Sequence, residues 1–326
     1  MSATNKPIRI GALGASRIAV KALIEPAKGR DDVVLAAVAA RDGDKAQAYA
    51  TAHGFERAVT GYQALIDDPD IDAIYNGLPP SRHADLSIAA LRAGKAVLCE
   101  KPFALSAQEA RAMVAAADET GLLLMEAFHY RYHPMFVRIM EIVRSGRLGR
   151  LRRIDALFET SVANKPGELR YDPALGGGAL MDLGTYPIHW ARTVAGAEPT
   201  VIAATQRLTD GGADIATAAD LRFPDGLTAR ITTQMDQPSK ATLEVEGELG
   251  RLHAVNPLAP QVGNLLTVEI GGEEHTETFT QETTYAFQLA AFLEHLRAGT
   301  QPPTSGADSI AQMAAIEAIR SAAVKT

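Results

Sequence analysis

The feature that most limits how this chain can fold is an alternation of short apolar runs with helix-like segments over residues 1–125. Apolar runs at 8–13, 33–39, 72–78, 96–99 and 122–127 alternate with helical patterns at 18–28, 44–53, 84–93 and 107–120. A strand–helix–strand order implies βαβ units, and those imply a parallel sheet. Such sheets bind ligands beyond the carboxyl ends of their strands. Local signals sharpen the pattern. Pro26 lacks an N–H and is expected to end or kink the first helix. Ser106-Ala107-Gln108-Glu109 is a capping box, with Ser at the N-cap and Glu at N3, and opens the helix at 107–120.

The second half follows another pattern. A helix-like stretch at 135–145 precedes runs of period-two alternation at 151–160, 201–208, 216–223, 227–235, 241–246 and 265–270. Turn signals such as Pro224-Asp225-Gly226 separate them. This predicts an antiparallel sheet carrying a helix at 180–194, with closing helices at about 284–298 and 307–323. The expected architecture is α/β: a dinucleotide-binding Rossmann domain at 1–125, then an α/β domain at 126–326 with a large, open, mostly antiparallel sheet. A length of 326 residues suits two domains. With 47% hydrophobic and 22% charged residues, a sizeable core is available.

Charge and cysteine content exclude several classes. A net charge of −7 argues against nucleic acid or an anionic membrane as principal partner. The single cysteine, Cys99, rules out an intrachain disulfide framework and fits a reducing compartment. No run approaches the roughly 18–20 apolar residues of a membrane span. The expected setting is therefore cytoplasmic, with a small-molecule substrate.

The first apolar run leads into Gly14-Ala15-Ser16-Arg17-Ile18-Ala19, the slot for a G-x-G-x-x-G phosphate loop between strand and helix. Only the first glycine is kept. Ser16 can offer its backbone N–H to a pyrophosphate, Ala19 is small enough for close packing, and the helix N-terminus favours an anion. A tight βα turn would also account for Gly14. The second strand ends Ala39-Ala40-Arg41-Asp42. An acid here would hold ribose hydroxyls, whereas Arg41, with Arg17 as a second candidate, suits a 2′-phosphate. The expectation is NADP, with NAD kept open by Asp42.

Lys101, in Leu98-Cys99-Glu100-Lys101-Pro102-Phe103, follows the strand at 96–99 and should open onto the ligand crevice. An ammonium there can hold a substrate oxygen and stabilise negative charge developing on it. In Gly176-Gly177-Gly178-Ala179-Leu180-Met181-Asp182-Leu183-Gly184-Thr185-Tyr186-Pro187-Ile188-His189, a flexible turn runs into a helix on which Asp182, Tyr186 and His189 fall on one face. Phe128-His129-Tyr130-Arg131-Tyr132-His133-Pro134 should also face the crevice, and Arg170 and Tyr171 are further candidates for a hydroxylated ligand.

"LCEKPFAL", "GASRIA", "AARDGDKAQAYA" and "GGGALMDLGTYPI" together resemble the Gfo/Idh/MocA oxidoreductases. Within them, "VAARD", "AGKAVLCEKP", "GLLLMEAF" and "LGRLRR" are similar to the dihydrodiol dehydrogenase and D-xylose dehydrogenase branch. The resemblance implies hydride transfer between NAD(P) and a carbinol or carbonyl carbon of a sugar, cyclitol or small diol. It makes Lys101 the catalytic lysine and assigns the cofactor to Gly14, Ser16, Arg17, Ile18, Arg41, Leu78, Pro79, His83, Glu100 and Lys101. Where inositol dehydrogenases carry an acid/base histidine this chain has Tyr186, which implies a tyrosine proton donor or acceptor beside Asp182. The implied substrate contacts are Lys101, Arg131, Arg170, Asp182, Tyr186 and His189. Relatives pair through the second sheet, so a homodimer or homotetramer is expected. The alternatives are a non-catalytic NAD(P)-sensing regulator, and a metal hydrolase built on His129, His133, Asp182 and His189, for which the H-E-x-x-H motif is missing; no metal is expected.

Overall fold

The computed structural model describes residues 6–326. They fall into two compact units: the described residues up to His129 with Tyr285–Ile310, and Tyr130–Thr284 with Ala311–Thr326.

The first unit is built on a six-stranded sheet of β1 (Ile8–Leu13), β2 (Val33–Ala40), β3 (Arg57–Thr60), β4 (Ala73–Asn76), β5 (Ala96–Cys99) and β6 (Leu124–Glu126), in the order β3-β2-β1-β4-β5-β6. All pairings are parallel. The order reverses between β1 and β4, where such sheets open a ligand crevice. Leu13 pairs with Ala39 and Asn76, and Asn76 with Cys99. The residues that follow these strands (Gly14, Arg41, Gly77 and Glu100) therefore leave the sheet along one edge. The closing segment returns to this unit: Thr304 O accepts from Glu126 N–H at 2.8 Å, and the Thr304 hydroxyl donates to Glu126 O at 3.0 Å.

The first helical stretch runs as Arg17–Ala19, a π turn Val20–Ile24 and Glu25–Ala27. The helix ends at Ala27, one residue past Pro26, close to where that proline is expected to end or kink it. A proline lacks the N–H and crowds the carbonyl four residues back, and the wider turn just before it relieves both demands. The same device recurs where the π turn Leu180–Gly184 precedes Pro187 in helix Thr185–Ala195. The Ser106 hydroxyl caps helix Ala107–Thr120 by accepting from Glu109 N–H, and the Glu109 carboxylate reaches back to Leu105 N–H.

The second unit carries nine strands. They are β7 (Leu151–Glu159), β8 (Thr200–Leu208), β9 (Asp214–Arg222), β10 (Thr228–Gln234), β11 (Lys240–Gly247), β12 (Gly250–Val255), β13 (Leu265–Ile270), β14 (Glu273–Glu277) and β15 (Ala323–Lys325). Their order is β14-β13-β12-β11-β7-β10-β9-β8-β15. The sheet is mostly antiparallel, but β7 and β10, and β8 and β15, run parallel. Strands β3, β12, β14 and β15 are additional to those read from sequence. β14, Glu-Glu-His-Thr-Glu, is an exposed edge strand with no apolar face to announce it. No helix among the described residues is long and apolar enough to cross a membrane.

Helix Thr185–Ala195 lies against the sheet with Trp190 fully buried. Arg192, 3% exposed at its side chain, holds Glu198 through two bonds of 2.6 and 2.7 Å. It also donates to Gln312 Oε1 at 2.9 Å, and Gln312 in turn donates to Thr185 O at 2.8 Å. This chain of bonds fixes the turn that carries Tyr186. Replacing Arg192 by Ala strands Gln312 and a charge-assisted pair, so Arg192→Ala should lower the unfolding free energy by about 2–3 kcal/mol in urea titrations. An unchanged midpoint would show that the network is ornamental.

Candidate active site

The phosphate loop is tightly specified. Gly14 has φ +91°, and a Cβ there would stand 2.7 Å from Leu78 Cδ2. Gly14 N–H donates to Ala39 O at 2.9 Å. The Ser16 N–H, expected to face a pyrophosphate, donates to Gly14 O at 2.9 Å, and the Ser16 hydroxyl caps the helix by accepting from Ala19 N–H at 3.3 Å. The Tyr49 hydroxyl donates to Ser16 O at 2.8 Å. Burial pushes the Tyr49 phenol up to about 12, which keeps it a donor. Ile18 is half-buried beside the exposed Arg17.

At the end of β2, Arg41 is exposed. Asp42, the residue that favoured NAD, is committed elsewhere: its carboxylate is the N-cap of helix Gly43–His53 and accepts from Lys45 N–H at 3.0 Å.

After β4, Asn76 ties the turn through its amide to Ser87 Oγ at 3.1 Å. Leu78 and Pro79 lead into helix His83–Arg92. His83 is fully buried, with Nδ1 2.9 Å from Pro102 O and Nε2 2.8 Å from Leu78 O. The ring thus sits between the carbonyls of two loops, and the neutral imidazole donates its one N–H to one of them. After β5, Glu100 is buried, accepting from the Tyr75 hydroxyl at 2.9 Å and from Lys101 N–H at 3.3 Å. Lys101 is half-buried and its bond to Pro102 is cis. His129 rests against Tyr285 with ring centroids 4.1 Å apart. Burial and the Lys101 charge pull its imidazole down to about 3, so it stands neutral.

In the second unit, Asp182 lies in the π turn, whose start is pinned by Asp214 accepting from Leu180 N–H at 2.7 Å. Asp182 and Arg170, expected as separate substrate contacts, form an ion pair of 2.7 Å. Tyr186 is 5% exposed and meets the rings of Tyr130 and Phe158 edge-on at 6.1 and 5.8 Å. The Tyr130 hydroxyl hydrogen-bonds His189 Nδ1, so Tyr130 meets two of the three residues of the face read from sequence. Arg131 stacks over Phe136 at 5.5 Å. His133 caps helix Pro134–Arg144, its Nδ1 accepting from Met135 N–H at 3.1 Å. Among the described residues no three His, Cys, Asp or Glu side chains are grouped to hold a metal ion. Tyr75 and Tyr285 escaped the sequence reading, and Tyr130 was given no role of its own there. Tyr130 sat inside a noted aromatic run, whereas Tyr75 carried no signal beyond an aromatic residue in a strand.

Comparison with known proteins agrees along the chain. The family model described as "Oxidoreductase family, NAD-binding Rossmann fold" matches residues 8–128, and the GFO/IDH/MocA C-terminal domain matches residues 136–253. D-xylose 1-dehydrogenase (NADP(+)) 2 of Haloferax volcanii is 36% identical over 312 residues, covering 95% of each chain. A trans-1,2-dihydrobenzene-1,2-diol dehydrogenase of Sus scrofa is 35% identical over 229 residues, covering 70% of this chain and 68% of its own. KijD10, a 3-ketoreductase from Actinomadura kijaniata solved with NADP and TDP-benzene, superposes with a TM-score of 0.91 at 31% identity, covering 98% of each chain.

His129 sets a pH dependence. The unfolded chain protonates this ring near ~6.5, the folded chain only near 3. Between those values the unfolded state holds more protons, so stability falls as the solution is acidified through that window. His83 and His133, also lowered by burial, act in the same direction. Between pH 7.5 and 5 the wild type should lose about 2 kcal/mol more unfolding free energy than His129→Gln. Equal losses would contradict the neutral buried ring.

Proposed function

Starting from the fact that this chain belongs to the GFO/IDH/MocA oxidoreductase family, we propose that it is an NADP-preferring dehydrogenase or reductase of a sugar or small polyol. The first unit takes the cofactor and the second supplies substrate-binding groups. The observation that carries the reading is the shared strand-end edge: Gly14, Arg41 and Lys101 lie within two residues beyond a line on which Leu13 pairs with Ala39 and Asn76, and Asn76 with Cys99. The residues fit the dinucleotide. The Gly14 turn has no room for a side chain, Asp42 is spent on a helix cap, and Arg41 offers a fork of donors to a 2′-phosphate.

The nicotinamide supplies or accepts the hydride; this chain's residues do the rest. The Lys101 ammonium binds the substrate oxygen and stabilises the negative charge that grows on it during reduction. The Tyr186 phenol gives its proton to that oxygen, or takes one in oxidation. His129, held neutral, leaves Lys101 without a competing cation. The Arg170–Asp182 pair gives substrate hydroxyls one donor and one acceptor. A homodimer or homotetramer joined through the sheet face bearing Arg153, Glu244 and Arg251 completes the proposal; light scattering at micromolar concentration should show no monomer.

Cofactor and catalytic roles separate experimentally. Titrated by nicotinamide fluorescence, the wild type should bind NADPH more tightly than NADH, and Arg41→Ala should erase at least about tenfold of that gap. With D-xylose and NADP as the first substrate pair of an aldose and diol panel, Lys101→Met and Tyr186→Phe should each lower kcat by about 10²–10³-fold. NADPH affinity should stay within about twofold, because these groups act on the substrate oxygen. Full activity in either variant would remove that residue from the mechanism.

A further inference from the structure

Tyr75 has no place in the chemistry above, yet it is fully buried next to a carboxylate. Its hydroxyl donates to Glu100 Oε1 at 2.9 Å. To reach there the ring lies across the turn at Gly77, where a Cβ would stand 2.6 Å from Tyr75 Cε1. Glycine at 77 thus makes the approach possible. The other oxygen of Glu100 accepts Lys101 N–H at 3.3 Å. On the far side of Lys101, the Pro102 carbonyl meets His83 Nδ1 at 2.9 Å. The residues flanking Lys101 are therefore both held from segment 75–83. Burial and the neighbouring Glu100 carboxylate hold the Tyr75 phenol well above its ordinary value, which keeps it a proton donor at working pH.

We propose that Tyr75 is a positioning residue for Lys101: by fixing the Glu100 carboxylate it fixes the backbone from which the lysine side chain projects. The inference rests on the role given to Lys101 above. A lysine side chain is long and flexible, so its ammonium is placed only as well as its base point. Misplacing a catalytic group by about 1 Å costs rate rather than binding. Phenylalanine at 75 keeps the ring and its packing and removes only the donor.

The test places Tyr75→Phe in two backgrounds, wild type and Lys101→Met, with two readouts. In the cofactor-free protein, amide hydrogen exchange at Lys101 should speed up at least about tenfold while exchange in β1 is unchanged. In steady-state kinetics with NADP and D-xylose, Tyr75→Phe should lower kcat about tenfold with KM for NADP within about twofold. In Lys101→Met it should add nothing, since the group it positions is gone. Unaltered exchange at Lys101 overturns the inference, and so does an equal loss of kcat in both backgrounds. If Lys101→Met alone retains wild-type kcat, the role of Lys101 falls and the inference with it. If Lys101→Met is impaired and Tyr75→Phe is not, the inference alone fails.

Discussion

Everything proposed for the first unit depends on the parallel register of its sheet. Leu13 opposite Ala39 and Asn76, and Asn76 opposite Cys99, bring the ends of β1, β2, β4 and β5 to one line. A glycine turn, an arginine, a polar bracing turn and a lysine then emerge side by side. A slip of one residue in β5 would turn its side chains to the opposite face and move Lys101 along the edge. The apolar content of β4 and β5, buried throughout, makes such a slip costly.

Electrostatics at that edge follow from burial. Glu100 is taken out of water and compensated by a tyrosine hydroxyl and a backbone N–H. His129, buried beside Lys101, avoids a second cation by staying neutral. Asp42 turns its charge to a helix N-terminus, where dipole and N–H groups favour it. Arg41, exposed beside it, carries the charge proposed to meet the nucleotide. In the second unit the same economy appears as Arg170 against Asp182 and Tyr130 against His189, which leaves Tyr186 framed by aromatic rings.

Much of this was legible in the sequence. The βαβ alternation, the capping box at Ser106 and the helices Ala107–Thr120 and Thr284–Ala298 stand where periodicity put them, because propensity, capping and burial agree there. Strand β14 was invisible because its residues are charged and its place is set by pairing with β13. The π turn before Pro26 was not foreseen, because it is a tertiary solution that single-residue rules do not give. For the site, residue types were readable and partnerships were not. Nothing in the spacing said that Arg170 would take Asp182, that Ser16 would spend its N–H on Gly14, or that Tyr75 would reach Glu100. Those bonds join residues brought together by loops whose conformation the local sequence does not specify.

The most direct test of the central claim, that this strand-end edge is the cofactor site and Lys101 its reactive neighbour, is a crystal structure of the protein with NADPH. The pyrophosphate should lie at the Gly14 turn, the 2′-phosphate on Arg41 and the nicotinamide beside Lys101. A dinucleotide bound elsewhere, or one whose nicotinamide end points away from Lys101, would contradict it.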